Sequence, residues 1–244
     1  MDTGSTVIIE AVNFLINLKI GMKKMPDDFY ACISSVCLDM LYIPVTAVRI
    51  TDGFYYENRK GELFEPFRGG YFGLMLDIES LHGFTRALLD DTARLTPYFY
   101  SRAGNVKGMK TRTFDAQRRW YAENIDFDPE FAVYLKEQTV WVDGLEDRGD
   151  GFVPGGLDPF NFSGLEDRDV PKRLGFPLKE RLNKPAIERD LAGLISGLLS
   201  YIGFYHTHFR KKVEQNYMHL TDKVDISASV SVSALKKLDL YMKG

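Results

Sequence analysis

The chain has 244 residues, of which 45% are hydrophobic and 27% charged, with a formal net charge of −3 and a pI near 5.9. This composition supports a real hydrophobic core and excludes a globally basic nucleic-acid-binding protein, although it allows local basic patches. Cys32 and Cys37 suit neither a CxxC site nor a disulfide framework, which predicts reduced thiols. Asp2 and Glu10 interrupt the apolar N-terminal run, so we expect no signal peptide. The expected location is cytoplasmic and reducing, or within an assembled particle.

Two helices are predicted at the start of the chain. Apolar residues recur at helical spacing over residues 7–24, and a second helix begins at Pro26 and is expected to stop at Pro44. Together they would form a helical hairpin. From Val45 onwards the pattern changes to VTAVRI, FYYE and ELFE, separated by turn residues, which predicts a small antiparallel meander.

The middle of the chain reads mainly as helix. A third helix is predicted over residues 74–95, ended by Pro97, and further helices over residues 113–124 and from Asp128 onwards. Residues 139–142 are expected to form a short strand.

Residues 143–182 form the least regular part of the sequence. They are rich in glycine and proline, and the pentapeptide GLEDR occurs twice, starting at Gly144 and at Gly164. Two short copies do not make a solenoid, so we predict a long irregular arm or loop.

A long central helix is predicted over about residues 184–220, because the run 191–209 carries no formal charge and is apolar or small on almost every side. Its large residues follow two seams: Ile187, Leu191, Leu194, Leu198, Tyr201 and Tyr205, and then Ile195, Leu199, Ile202, Phe209 and Val213. A third seam is small and is expected to admit a close-packed neighbour: Gly193, Gly197 and Ser200. A membrane span is the alternative, but the glycines, serines and histidines weaken it, so we expect a buried or oligomeric helix.

The last part of the sequence completes the predicted fold. Val224 and Ile226 begin an alternating run that predicts a strand over residues 224–232, followed by a short terminal helix. The expected fold class is therefore α+β, helix-rich, with the long helix packed on a small, mainly antiparallel sheet. We expect residues 1–142 and 183–244 to form one domain, from which residues 143–182 project.

Motifs for catalysis or cofactor binding are weak. The glycine-rich turn at residues 68–73 could bind a phosphate, but its glycines have the wrong offsets for a known phosphate loop and a tight turn is the simpler interpretation. His206 and His208 form an HxH pair, but residues two apart on a helix point in nearly opposite directions and cannot easily share a metal. The sequence predicts no catalytic residue, no cofactor and no metal site.

The segment 98–121 combines cations with aromatic residues, a pattern that suits contact with phosphates and stacked bases. Its candidate contact residues are basic: Arg102, Lys107, Lys110, Arg112, Arg118 and Arg119. The alternative is contact with acidic surfaces of this chain or of another copy.

Taken together, these features favour a non-enzymatic structural or assembly protein that self-associates or joins a larger assembly, for example a virion or phage component. The first alternative is a nucleic-acid-binding module that uses residues 98–121. A further alternative is a small-molecule transferase with a phosphate-binding turn at residues 68–73. Membrane association is not expected.

Overall fold

The helices follow the apolar periodicity of the sequence more closely than its strand-like patterns. A computed structural model describes residues 4–60, 71–109, 112–143, 184–217 and 224–226. The α-helices in these ranges are α1 (Gly4–Gly21), α2 (Asp27–Lys60), α3 (Tyr71–Leu95), α4 (Pro97–Tyr100), α5 (Phe114–Glu123), α6 (Pro129–Gln138) and α7 (Lys184–Asn216). This part of the chain contains no β-strand, so the predicted α+β class is wrong and the described fold is all-α.

The largest correction concerns the predicted meander. Its first part, residues 45–60, is the second half of α2, which runs through Pro44 without ending. Ile43, Ala47 and Ile50 are buried at i, i+4 and i+7, which is the spacing of a helix face. Packing of this face outweighs the strand preference of the β-branched residues around it. The rest of the predicted meander, residues 61–65, lies outside the described residues.

The two other predicted strands are also corrected where the structure describes them. Val140–Val142 is a 3-10 turn, in which the Val142 N–H donates to the Thr139 carbonyl at 3.0 Å. Residues 224–226 have no regular secondary structure and no strand partner among the described residues. The remainder of that predicted strand, the terminal helix, and the predicted arm except Asp143 lie outside the described part.

Helices α2 and α3 form a long antiparallel hairpin. Near one end Arg49 pairs with Asp77 at 2.8 Å, and near the other Arg94 pairs with Asp28 at 2.9 Å. Tyr42 stacks on Phe84 between them, with ring centroids 5.4 Å apart. The contacts run in opposite sequence directions on the two helices, which fixes their antiparallel order.

Helix α7 is the central helix, as predicted, and it packs against α1, α4 and α6. Both of its predicted large seams are buried from Leu191 onwards. It runs parallel to α3, because Thr92 contacts Tyr201 and Thr96 contacts Tyr205, with oxygen atoms 2.8 and 3.3 Å apart. The two threonines and the two tyrosines are each one helical turn apart, so this buried ladder sets the register of the two helices.

In the part of the chain that the structure describes, two helical segments are long and apolar enough to cross a membrane by length and composition: Gly4–Gly21 and the segment Asp27–Ile50 of α2. Half of each apolar window is buried inside the fold. Core helices of soluble proteins meet the same criterion, so this finding assigns no location.

Candidate functional site

The most concentrated polar chemistry inside the described fold surrounds Asp128. Its Oδ2 atom lies 2.9 Å from His208 Nε2, 2.6 Å from the hydroxyl of Tyr100 and 3.2 Å from Lys212 Nζ. The Tyr121 hydroxyl donates to that of Tyr100 at 3.1 Å, which extends the network by one group. We call these five residues the buried polar cluster.

Four helices bring the buried polar cluster together. Asp128 precedes α6 and caps it, because its Oδ1 accepts the Phe131 N–H at 3.3 Å. Tyr100 ends α4, Tyr121 lies in α5, and α7 supplies His208 and Lys212, one turn apart. The cluster therefore ties α4, α5 and α6 to the central helix.

Aromatic rings fix the orientation of His208. Its ring stacks on Phe131 and on Phe204, with centroids 5.6 and 5.4 Å apart and the planes within 15° and 12° of parallel. Its Nδ1 atom lies 3.4 Å from a carboxylate oxygen of the exposed Glu130. Because an ionised carboxylate only accepts hydrogen bonds, Nε2 carries the hydrogen that is shared with Asp128.

The cluster stabilises a buried negative charge. Burial by itself would raise the pKa of Asp128, but hydrogen bonds from His208 and Tyr100, the positive charge of His208 and a hydrogen bond from Lys212 lower it well below its usual range. Burial raises the pKa of Tyr100 and of Tyr121 far above the usual value, so both phenols stay protonated and act as donors.

Access to the cluster is poor. Only 2% of the side-chain surface of Asp128 and of His208 is exposed, whereas Lys212 is 28% exposed. Within the described residues, the hydrogen bond and ion pairs of His208 go to the carboxylates of Asp128 and Glu130. The arrangement therefore suits a structural tie between helices better than catalysis.

His206 and His208 lie on opposite sides of α7. His206 faces α1, where its ring lies 6.1 Å from that of Phe14, and burial lowers its pKa. His208 faces α6. The two rings of this HxH pair therefore face different helices.

The basic segment divides into exposed and paired cations. Arg118 is paired with Asp143 at 2.5 Å and with Asp115 at 3.8 Å. Arg102 lies over the ring of Tyr217, 5.7 Å from its centroid. The exposed members of the segment are Arg102, Lys107, Arg112 and Arg119, and Lys110 lies outside the described residues.

The rings of the same segment are mostly unavailable for base stacking. Tyr98, Phe99, Phe114 and Tyr121 are buried in the core, and Tyr100 belongs to the buried polar cluster. Aromatic side chains that bind bases must present a ring face to solvent. The segment thus offers phosphate-binding cations without the stacking surface that its sequence indicates.

An open groove of about 860 Å³ lies beside this segment, lined in part by Asp28, Arg94, Tyr98 and Arg112. Arg94 is held by Asp28 and Asp91, each at 2.9 Å. Gly104 has φ +62°, and a Cβ there would overlap the ring of Tyr98. Among the described residues that line the groove, Arg94 is neutralised by the Asp28 and Asp91 carboxylates and Arg112 has no ion-pair partner.

The small seam of α7 lies in three different environments. A Cβ at Gly193 would meet nothing within 4 Å, whereas one at Gly197 would lie 2.8 Å from the indole of Trp141. Ser200 shares a 3.4 Å hydrogen bond with Tyr134. At Gly197 the approaching group is therefore an aromatic ring and not a backbone.

The predicted phosphate turn at residues 68–73 is described only in part. Helix α3 begins at Tyr71, which places Gly73 in its first turn, and residues 68–70 lie outside the described ranges. The transferase alternative stays a prediction.

Sequence reasoning missed the buried polar cluster as a unit. The sequence indicates a helix start at Asp128 and places His208 in the central helix, but their contact spans 80 residues. A histidine in an uncharged, core-facing helix was the available signal, because a buried polar group needs a partner. Comparison of the chain with protein-family models, curated proteins and solved structures finds no match.

Proposed function

We propose that this chain is a non-enzymatic assembly protein that acts as a homo-oligomer or as a component of a larger assembly. The observation that carries the proposal is an exposed apolar face on α2. Leu38, Tyr42 and Val45 are 51%, 48% and 46% exposed, and they follow the i, i+4, i+7 spacing of one helix face. We call these three residues the α2 stripe.

The surroundings of the α2 stripe extend the apolar surface. Tyr42 stacks on the half-buried Phe84 of α3, so the surface reaches across the helical hairpin. Residues 40–48 contain no charged side chain, and the nearby Asp39 is buried. Contiguous exposed apolar surface of this kind marks interaction sites, because covering it with a partner removes it from water.

The energy available from this surface suits association. Covering a half-exposed leucine, tyrosine or valine contributes about 1 kcal/mol each, and the same surface on a second copy doubles that number. In a two-fold symmetric dimer both copies use the same surface patch, so the chain needs no second complementary surface. Self-association is therefore the simplest use of the α2 stripe.

The test places charge on the α2 stripe. We expect Leu38→Glu and Val45→Glu to reduce the assembled mass measured by light scattering and to leave the helical circular dichroism unchanged. Val133→Glu is the matched control, because Val133 is 42% exposed on α6 and lies outside the stripe. Assembly that both stripe variants leave unchanged would contradict the proposal. It would also be contradicted if the wild-type protein floats with phospholipid vesicles and the stripe variants do not.

Nucleic-acid binding stays the alternative, supported by the exposed cations of the basic segment. It predicts binding that weakens steeply with salt and that is lost when Lys107, Lys110 and Arg112 are replaced by alanine. Binding that these substitutions leave unchanged would remove this alternative.

We also propose that the assembly exists in a reducing compartment. Cys32 and Cys37 are free thiols, and burial raises their pKa values to about 11 and about 12. Thiols of this kind react slowly, because only the thiolate is the nucleophile. They therefore suit packing better than cross-linking.

A further inference from the structure

A short segment, residues 224–226, lies along α1 and is held by two asparagines one helical turn apart. Asn17 accepts a hydrogen bond from the Val224 N–H at 2.9 Å and donates to the Val224 carbonyl at 3.0 Å. Asn13 accepts from the Ile226 N–H at 2.9 Å and donates to Asp225 Oδ1 at 3.1 Å. We call Asn13 and Asn17 the asparagine pair.

The spacing of the asparagine pair fits an extended chain. Four residues of α-helix advance about 6 Å, and two residues of extended chain advance about 6.6 Å, so successive helical turns meet alternate residues. Asn13 contacts residue 226 and Asn17 contacts residue 224, so the segment runs antiparallel to α1. The side-chain amides of the asparagine pair therefore hydrogen-bond the backbone of this segment, as the backbone of a neighbouring strand does in a sheet.

The contacts define what the site selects. At its two outer positions the asparagine pair binds backbone groups, which every residue except proline can supply in full. At the central position Asn13 binds a side-chain oxygen of Asp225. Ile226 also packs against the core of the fold. The preferred ligand is an extended peptide with an acceptor side chain between two apolar residues.

The segment covers Asn17, which is only 3% exposed and bonds both the N–H and the carbonyl of Val224. The side-chain amide of Asn17 also donates to the Asn13 carbonyl at 2.9 Å, which fixes its orientation. A segment from a second copy offers the same N–H and carbonyl groups and can make the same two hydrogen bonds.

We infer that the asparagine pair is a strand-capture site and that it can hold residues 224–226 of a second copy of this chain. The contacts span 207 and 213 residues of sequence, and the same contacts can be made between two copies without any new surface. This inference rests on the proposed assembly function and gives it a mechanism. Reciprocal exchange of the segment would link two copies.

The test uses two full-length variants, one altered in the asparagine pair and the other altered in residues 224–226. One variant, Asn13→Ala with Asn17→Ala, keeps the segment and loses the site. The other, Val224→Pro with Ile226→Pro, keeps the site and loses the two N–H donors. We expect each variant alone to assemble at least tenfold more weakly than wild type, and the co-expressed variants to form mixed species by native mass spectrometry. Asn105→Ala, in an exposed loop, is the control.

A second measurement does not depend on how well the site variant folds. A labelled peptide with the sequence of residues 221–230 is expected to bind the full-length proline variant, and a matched peptide N-methylated at the positions of Val224 and Ile226 to bind at least tenfold more weakly. Equal binding of the two peptides, or absence of binding by the unmodified peptide, would overturn the inference.

The outcomes separate this inference from the proposed function. If wild type assembles and both variants assemble equally well, strand capture between copies is wrong and the assembly function stands. If wild type is a monomer at every concentration, both fail. Mixed species that form only from the complementary pair of variants would support both.

Discussion

His208 and Asp128 are 80 residues apart in sequence, yet their side chains meet at 2.9 Å inside the core, where each is only 2% exposed. The contact joins the central helix to the cap of α6. Removing one partner of such a pair leaves the other buried without compensation, which costs about 3–5 kcal/mol. The pair is therefore a principal determinant of how α6 and α7 pack.

The first prediction concerns this pair. We expect His208→Ala to lower the free energy of unfolding by about 3–5 kcal/mol, measured by urea unfolding. The control is Glu130→Gln, because Glu130 is exposed and contacts His208 only at 3.4 Å. A loss for His208→Ala no larger than that for Glu130→Gln would contradict the prediction.

The acid dependence of stability follows from the same contact. The pKa of Asp128 is lowered in the folded state, so its contribution is present above the unfolded value near 3.8 and is lost as the pH falls below it. We expect wild type to lose stability below about pH 4 more steeply than Asp128→Asn, which is less stable at neutral pH. Parallel pH profiles for the two proteins would show that Asp128 is not the titrating group.

Asp39 is predicted to act in the opposite direction. Burial, and to a lesser extent the charge of Asp91, raise its pKa from 3.8 to about 6. The protonated carboxyl is therefore favoured in the folded state. The free energy of unfolding falls by as much as about 3 kcal/mol as the pH rises from the unfolded pKa of 3.8 through the folded pKa of about 6. We expect Asp39→Asn to stabilise the protein at about pH 8 and to change little near pH 4. Glu137→Gln, at an exposed position, is the control, and a stabilisation independent of pH would count against this account.

The threonine–tyrosine ladder between α3 and α7 gives a fourth prediction. Tyr201→Phe removes the 2.8 Å contact with Thr92 and is expected to cost about 1 kcal/mol. A double-mutant cycle with Thr92→Val isolates the pair, and its coupling energy is expected to be about 1 kcal/mol. A coupling energy near zero would mean that the ladder does not contribute to the packing of the two helices.

Gly193 and Gly197 are expected to respond oppositely to alanine. Gly193 has open space at the Cβ position, so Gly193→Ala is expected to stabilise α7 by about 0.5–1 kcal/mol. Gly197→Ala places a Cβ 2.8 Å from the Trp141 ring, and overpacking of this kind costs about 1–3 kcal/mol. In a Trp141→Ala background the second change should become neutral or stabilising, and a persistent loss there would point to a different neighbour.

The helices were predictable because their signals are local. Thr113 caps α5 through its side chain and Asp128 caps α6, at the positions where the sequence indicates helix starts. The strands were wrong because VTAVRI has both a strand composition and buried residues at helical spacing, and only packing against α3 decides between them. Pro44 indicated a helix end by its chemistry, but α2 continues through it.

The candidate sites were harder to predict because each depends on contacts between distant residues. The asparagine pair lies on a helix whose apolar pattern is clear, but its ligand lies more than 200 residues away. The basic segment shows the reverse case, in which a suggestive local pattern has its rings buried in the core. Charge and ring spacing along a sequence do not reveal which side chains the fold uses internally.

The mass of the wild-type chain in solution tests the central claim most directly. One chain has a mass of 27.9 kDa. Light scattering coupled to size exclusion, from about 1 µM to about 1 mM, covers the range in which tight and weak self-association separate. We predict a multiple of the single-chain mass, or a mass that rises with concentration towards one. A constant 27.9 kDa across the whole range would contradict the proposed homo-oligomer.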